Sequence, residues 1–175
     1  PPTANVYDLE LEKKVKERLA KGYNKLFIVL HSYGSHFNYL ERYPNSDAFF
    51  HPDNETRATP KNKESLHNAY DNTIRYTDMF LARLIDTLSK ENVSSALLYT
   101  SDHGEDIFDD KRNLFLHASP VPSYYQLHVP FLIWMSNEYK EQNNSIFEMI
   151  KQNQKQPIST NLNTFHTLLS IGGIN

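Results

Sequence analysis

The 175-residue sequence contains no cysteine, only five glycines and no excess of basic residues. Without cysteine, the chain cannot form disulfide bonds, zinc–thiolate sites or a cysteine nucleophile. Its 18 basic residues are outnumbered by 21 acidic ones, which gives a formal net charge of −3. A nucleic-acid-binding module needs a basic face to contact phosphates. We therefore expect no nucleic-acid partner.

Long apolar runs are also absent. No run approaches the ~20 residues that a membrane-spanning helix needs. Residues 1–8 lack the basic region and the apolar stretch of a signal peptide, so we do not expect one there. The remaining composition is that of a soluble domain, and its length suffices for a sizeable core. Eight histidines and eleven tyrosines are a mild indication of a metal or phosphate site.

Helical patterns and short apolar runs alternate along the chain. Apolar spacing of three and four residues predicts helices over four ranges, 8–22, 62–90, 138–152 and 161–171. Three apolar runs without alternation are typical of strands covered on both faces, 25–30, 95–100 and 130–135. The intervening stretch 31–60 is too long for an ordinary connection, which indicates either a functional loop or short elements that the pattern does not reveal. This order predicts an α/β sandwich with a mainly parallel sheet.

Two of the predicted strands run directly into loops that carry histidines. The first strand leads into residues 31–36, and the second leads into residues 101–105, with His117 further along. Ligands of open α/β sheets bind beyond the carboxyl ends of the strands, where such loops converge. We therefore expect the functional site at this edge of the sheet.

Asp102 and His103 form the sharpest pair in these loops. Adjacent side chains of a regular strand point to opposite faces, so both can reach one ion only where the strand breaks. Gly104 provides that break. A carboxylate and an imidazole together suit Zn²⁺ or Mn²⁺, so Asp102 and His103 are candidate metal ligands. From these residues alone, stabilisation of the turn by the aspartate is an equally good interpretation.

Five segments, in chain order, carry a resemblance to a known family. They are HSYGSHFNYLERYP at 31–44, AYDNT at 69–73, TSDHGE at 100–105, LFLH at 114–117 and HVPFLIW at 128–134. Together they resemble the catalytic domain of the bacterial phosphoethanolamine transferases, in the sulfatase and alkaline-phosphatase superfamily. The resemblance implies a three-layer α/β/α sandwich with a mainly parallel sheet. It also implies zinc-dependent transfer of phosphoethanolamine from phosphatidylethanolamine to lipid A or another surface glycan, through a covalent threonine intermediate.

The same resemblance implies roles for individual residues. Asp102 and His103 match two of the family's four zinc contacts, with manganese as the other metal. His36 and His117 match histidines that bind the phosphoryl group or a second, weaker metal. Glu105 either orients His103 without ligating the metal itself, or it caps the following turn. The sequence does not distinguish these two roles.

The family's other two zinc contacts, an acidic residue and the threonine, precede the part that matches Lys25. Only 24 residues precede Lys25 here, and they contain no such string. Glu55 lies in a similar acidic motif, but it follows the histidine loop instead of preceding it. We therefore expect residues 1–175 to be the C-terminal portion of a single sulfatase-like catalytic domain, inactive by itself. The resemblance implies a parent protein in the bacterial inner membrane, anchored by an upstream segment, with this domain on the periplasmic face.

Two other functions remain open at this point. One is a sulfatase or phosphoglycerol transferase of the same superfamily, which only the upstream nucleophile would distinguish. The other is a non-catalytic module that binds a metal or a glycan. The remaining histidines are interpreted as structural, surface or core residues: His31, His51, His67, His128 and His166.

Overall fold

The computed structural model describes residues 6–174. The N-terminal residues 1–5, most of the stretch tested for a signal peptide, lie outside the described residues, as does Asn175. The helices and strands in chain order are α1 Glu10–Leu19, α2 Lys63–Ser89, β1 Ala96–Thr100, β2 Asp106–Ile107, β3 Phe115–Leu116, α3 Tyr124–Leu127, β4 Phe131–Met135, α4 Asn137–Gln142, α5 Asn144–Asn153 and α6 Thr160–Ile171. The chain forms two compact units, which are described in turn.

The first unit comprises the residues up to 84 together with Glu105–Ser123. Helix α1 is anchored in it by Glu12, whose side chain is buried although it is charged. The Glu12 carboxylate pairs with Lys16 and accepts a hydrogen bond of 2.7 Å from Nε of Arg83 in α2. These partners compensate for the loss of water around the carboxylate.

The core of the first unit is rich in aromatic residues. Its buried members come from the loop before α2, from α2 and from the β2 region: Tyr39, Leu66, Ala69, Ile107 and Phe108. Strands β2 and β3 pair antiparallel, with Ile107 opposite Phe115, so the short hairpin presents apolar side chains to α2. Phe37 meets both Tyr39 and Phe115 edge to face, with ring centroids 5.2 Å apart in each pair.

The prediction of a covered strand over residues 25–30 is wrong. No helix or strand forms there, and Phe27 and Val29 are 75% and 76% exposed. Among the described residues, no backbone hydrogen bond involves this segment. A strand needs a neighbour to pair with its backbone groups, and the described residues bring none to it. The loop over 31–60 is as irregular as predicted, apart from three short 3₁₀ turns.

The second unit comprises Ile85–Gly104 together with the residues from 124 onward. Strands β1 and β4 confirm the predicted runs 95–100 and 130–135, and they pair antiparallel with Leu98 opposite Ile133. Both strand pairs among the described residues are antiparallel, so the mainly parallel sheet is not confirmed. The single helix predicted over 138–152 is two helices, α4 and α5, because the backbone leaves the helical conformation at Asn143.

The other three predicted helices are confirmed, with ends shifted by at most three residues. Ser136 caps α4, since its hydroxyl accepts a hydrogen bond from the backbone N–H of Tyr139. The Tyr139 hydroxyl in turn donates to the carbonyl of Ile171, 2.8 Å away, which ties α4 to the end of α6. No helix within residues 6–174 is both long enough and apolar enough to cross a membrane.

Candidate functional site

Asp102 and His103 lie in the turn that follows β1. The Asp102 side chain is 87% exposed, that of His103 is 34% exposed, and Oδ2 of Asp102 lies 3.8 Å from Nε2 of His103. Nδ1 of His103 donates to the carbonyl oxygen of Gly104, 3.0 Å away. In that tautomer Nε2 carries no proton, so the nitrogen on the Asp102 side has the lone pair that a metal requires.

Gly104 holds this turn against helix α3. Its backbone N–H donates to the carbonyl of Gln126, 2.9 Å away. A Cβ at position 104 would stand 2.0 Å from the carbonyl oxygen of Tyr125, which is far inside van der Waals contact. Only glycine therefore fits between His103 and Glu105, for a steric reason that the sequence did not reveal.

Glu105 lies in the first unit, where its carboxylate has two partners. Oε2 accepts a short hydrogen bond from the hydroxyl of Tyr39, and Oε1 lies 3.4 Å from Nδ1 of His117. The Glu105 side chain is 5% exposed and that of His117 is 36% exposed, so the carboxylate is buried while the imidazole reaches the surface. Tyr39 was not among the predicted site residues, and its only signal in the sequence is its closeness to His36.

In the hydrogen bond between Tyr39 and Glu105, electrostatics determine which group is the donor and which is the acceptor. Burial of Tyr39, together with the negative charge of Glu105, raises the pKa of the phenol well above its usual range. Tyr39 therefore keeps its proton across the whole physiological pH range. The phenol is a permanent hydrogen-bond donor, and Glu105 is the acceptor.

His36 lies in an exposed turn that Asp8 supports. The two carboxylate oxygens of Asp8 accept hydrogen bonds from the backbone N–H groups of Tyr33 and Gly34, at 2.9 and 2.8 Å. Nδ1 of His36 donates to the carbonyl of Phe37. Within residues 6–174, no hydrogen bond or ion pair joins His36 to Glu105 or His117. The first unit thus brings Glu105 and His117 together.

The other histidines have neighbours of their own. His67 contacts the carbonyl of Ile107 at 3.0 Å, His51 contacts Asp53 at 3.0 Å, and the ring of His128 stacks on Tyr124. Glu55 accepts a hydrogen bond from Asn62. These contacts are compatible with the structural interpretation of the three histidines.

The donor atoms present suit zinc. Zinc in proteins takes imidazole nitrogens and carboxylate oxygens. Within the second unit, Asp102 and His103 provide one donor of each type, with Oδ2 of Asp102 3.8 Å from Nε2 of His103. This pair therefore fits two ligands of a zinc ion.

Comparison with known proteins places the chain among enzymes of one family. The family model described as Sulfatase matches residues 1–174. The Kdo(2)-lipid A phosphoethanolamine 7''-transferase of Escherichia coli (strain K12) is 34% identical over 139 residues, which are 78% of this chain and 24% of that protein. Phosphoethanolamine transferase EptA of Helicobacter pylori is 31% identical over 170 residues, or 94% of this chain and 31% of that protein. The chain spans about a quarter of the length of the first relatives.

Solved structures agree with these relatives. The C-terminal periplasmic domain of phosphoethanolamine transferase EptC from Campylobacter jejuni has a TM-score of 0.82 and 30% identity, covering 97% of this chain and 54% of that one. The corresponding domain of EptC from Escherichia coli, in complex with zinc, has a TM-score of 0.71 and 29% identity, covering 81% of this chain and 40% of that one. The resemblance and the sulfatase-like α/β fold are thereby confirmed.

Proposed function

The chain belongs to the sulfatase family, and on that premise we propose that residues 1–175 are the C-terminal portion of a phosphoethanolamine transferase domain. The acceptor class is lipid A or another surface glycan, and the donor is phosphatidylethanolamine. The relatives named as lipid A phosphoethanolamine transferases support the acceptor. The observation that carries the proposal is the pairing of Asp102 with His103 in the turn after β1, where Oδ2 of Asp102 lies 3.8 Å from Nε2 of His103.

In this proposal Asp102 and His103 hold zinc, with manganese as the other metal, and the zinc complex of the Escherichia coli relative supports zinc. When bound, the zinc lowers the pKa of the nucleophile and offsets charge on the phosphoryl oxygens. His36 and His117 bind the phosphoryl group or a second, weaker metal, and an imidazole that carries a proton toward the leaving alkoxide can protonate it. Glu105 has a supporting role, since its carboxylate lies 3.4 Å from Nδ1 of His117.

The finer structural expectations belong to the same proposal. A covalent phosphoethanolamine–threonine intermediate requires a nucleophile outside this chain. A three-layer sandwich with a mainly parallel sheet describes the complete domain. The whole protein lies in the bacterial inner membrane, with this domain on the periplasmic face. Structures of C-terminal periplasmic domains of relatives support that location.

Zinc titration of the 175-residue chain tests the metal site directly. We expect weak zinc binding by isothermal calorimetry, lost by more than about tenfold in Asp102→Ala and in His103→Ala because each change removes one ligand. His51→Ala is the matched control, since His51 also contacts an aspartate but lies in another loop. Equal affinity of Asp102→Ala and the unmodified chain would contradict the metal site.

The reaction is tested with the longest available form of the protein that includes residues 1–175, called the longest chain below. We expect transfer of phosphoethanolamine to lipid A, which mass spectrometry detects, and no transfer by the 175-residue chain alone. Release of sulfate from a sulfate ester would instead indicate a sulfatase. Zinc or glycan binding without turnover of any substrate by the longest chain would indicate a binding module.

A further inference from the structure

Three side chains of the first unit form a continuous series from the core to the surface. The buried hydroxyl of Tyr39 donates to one carboxylate oxygen of Glu105, and the other oxygen faces Nδ1 of His117 at 3.4 Å. Tyr39 is 1% exposed, and the side chains of Glu105 and His117 are 5% and 36% exposed. The series therefore connects a fixed core residue with a ring that can reach a ligand.

Tyr39 is held on every side by rigid neighbours. Phe37 and Tyr70 each meet its ring edge to face, with centroids 5.2 Å apart. Leu66 of α2 and Ile107 of β2 belong to the same buried cluster. A ring packed in this way has one position for its hydroxyl, because protein cores are close-packed and hold side chains in single rotamers.

That fixed hydroxyl determines how the Glu105 carboxylate lies. A buried carboxylate must have hydrogen-bond partners, since an unpaired one loses its hydration without compensation. The bond from Tyr39 occupies Oε2 and directs Oε1 toward His117. With Glu105 accepting at Nδ1, the proton of a neutral His117 ring lies on Nδ1 and the lone pair lies on Nε2.

We propose that Tyr39 is a positioning residue, which orients the His117 ring through Glu105. Tyr39 contacts no ligand. It fixes the carboxylate, and the carboxylate fixes the tautomer and the rotation of the imidazole. The lone pair on Nε2 of His117 is thereby presented to a hydrogen-bond donor or a metal ion. The nature of that ligand rests on the proposed function, whereas the orientation of His117 does not.

The experiment compares Tyr39→Phe with Tyr43→Phe in the 175-residue chain. Tyr43 is the matched control, because it is also 1% exposed and its hydroxyl donates to a carboxylate, that of Asp53, at 2.7 Å. Each variant removes one buried hydroxyl and keeps the ring. The readouts are the imidazole ¹⁵N signals of His117, from long-range ¹H–¹⁵N spectra, and the melting temperature.

We expect the unmodified chain and Tyr43→Phe to show His117 as a single tautomer with the proton on Nδ1. Tyr39→Phe is expected to move its two ¹⁵N signals toward the average of both tautomers, while the two variants lose similar amounts of melting temperature. Unchanged His117 signals in a folded Tyr39→Phe protein would overturn the proposal and leave Tyr39 with a packing role. If Tyr39→Phe does not fold, Glu105→Gln is measured instead and must shift the same signals, failing which the proposal is also lost.

Turnover of the longest chain that contains the site provides the second arm. Tyr39→Phe is expected to lower kcat by about 10- to 100-fold, the usual cost of losing a group that orients a ligand-binding residue, with a smaller change in KM. If Tyr39→Phe shifts the His117 signals but the unmodified longest chain transfers no phosphoethanolamine, the proposed function is refuted and the positioning role is retained. Normal turnover in Tyr39→Phe, beside unmoved signals, would refute the positioning role alone.

Discussion

The first unit contains two neighbouring stretches rich in aromatic and branched side chains, and they have opposite environments. Residues 25–30 leave Phe27 and Val29 about three-quarters exposed, whereas residues 37–43 bury Tyr39 and Tyr43 almost completely. The second stretch has α2 and the β2–β3 hairpin to pack against, and the first has no comparable partner among the described residues. Burial is therefore decided by the elements that come within reach, and not by the apolar content of a segment.

Exposure in the first stretch also alternates. Phe27 and Val29 are exposed, while Ile28 and Leu30 between and after them are half-buried. Alternation with a period of two is typical of a strand-like backbone with one covered face. The stretch thus has the side-chain pattern of a strand, and what it lacks within the described residues is a neighbour for its backbone.

The largest loss of folding stability is expected from a mutation in the cluster that buries residues 37–43. Leu66→Ala removes a side chain that is 1% exposed and belongs to the cluster around Tyr39. The lost burial and the cavity left behind should lower the free energy of unfolding by about 2–5 kcal/mol. Urea denaturation measures this change. A loss below about 1 kcal/mol would show that the aromatic cluster is not a tightly packed core.

An intermediate effect is expected where helix α1 is anchored, just before the exposed stretch. The hydrogen bond from Lys16, together with that from Arg83, lowers the pKa of Glu12 below its ordinary value of 4.5, against the opposing effect of burial. A lowered carboxyl pKa stabilises the folded state above the unfolded-state pKa, and this contribution is lost as the pH falls. Glu12→Gln should therefore be less stable than the unmodified chain at pH 7.

The difference between the two proteins should shrink as the pH falls below 4.5, when Glu12 takes up a proton in the unmodified chain. Thermal unfolding between pH 3 and pH 7 gives this profile. Glu17→Gln is the control, because Glu17 pairs with Lys14 on the exposed face of the same helix. A constant difference across the whole pH range would refute the role of the ionised Glu12 carboxylate.

The smallest effect is expected in the exposed stretch itself. Phe27→Ser and Val29→Ser should each change the free energy of unfolding by less than about 0.5 kcal/mol, since exposed side chains contribute little to folding. The same urea denaturation used for Leu66→Ala serves here. A loss of about 2 kcal/mol or more in either variant would mean that the stretch is covered in solution, and would remove the contrast between the two regions.

The parts of the fold that could be predicted depend on local periodicity. The apolar stripe from Leu66 onward predicted helix 62–90, and the structure has α2 at Lys63–Ser89. Local periodicity could not show whether residues 25–30 form a strand, because an apolar run does not specify which segment its backbone would pair with. The break at Asn143 in the helix predicted over 138–152 was also unpredictable, because no proline or glycine marks it in the sequence.

In the candidate site, too, local motifs were predictable from the sequence and contacts between distant residues were not. Asp102, His103 and His117 could be named from motifs that are contiguous in the chain. The link from Tyr39 to Glu105 could not, because it joins residues 66 positions apart through a packed core. A tyrosine in a long loop is usually a packing residue, and only the position of its hydroxyl distinguishes this one.

Gly104 has a consequence for how the chain tolerates change. Because a Cβ there would collide with the carbonyl of Tyr125, the geometry of the turn is set by a main-chain contact with α3. A deep mutational scan should therefore find position 104 as intolerant as the proposed metal ligands Asp102 and His103, although glycine offers no functional group. Side-chain replacements at Tyr125 should be accepted freely, since its contribution is a backbone oxygen that every residue supplies.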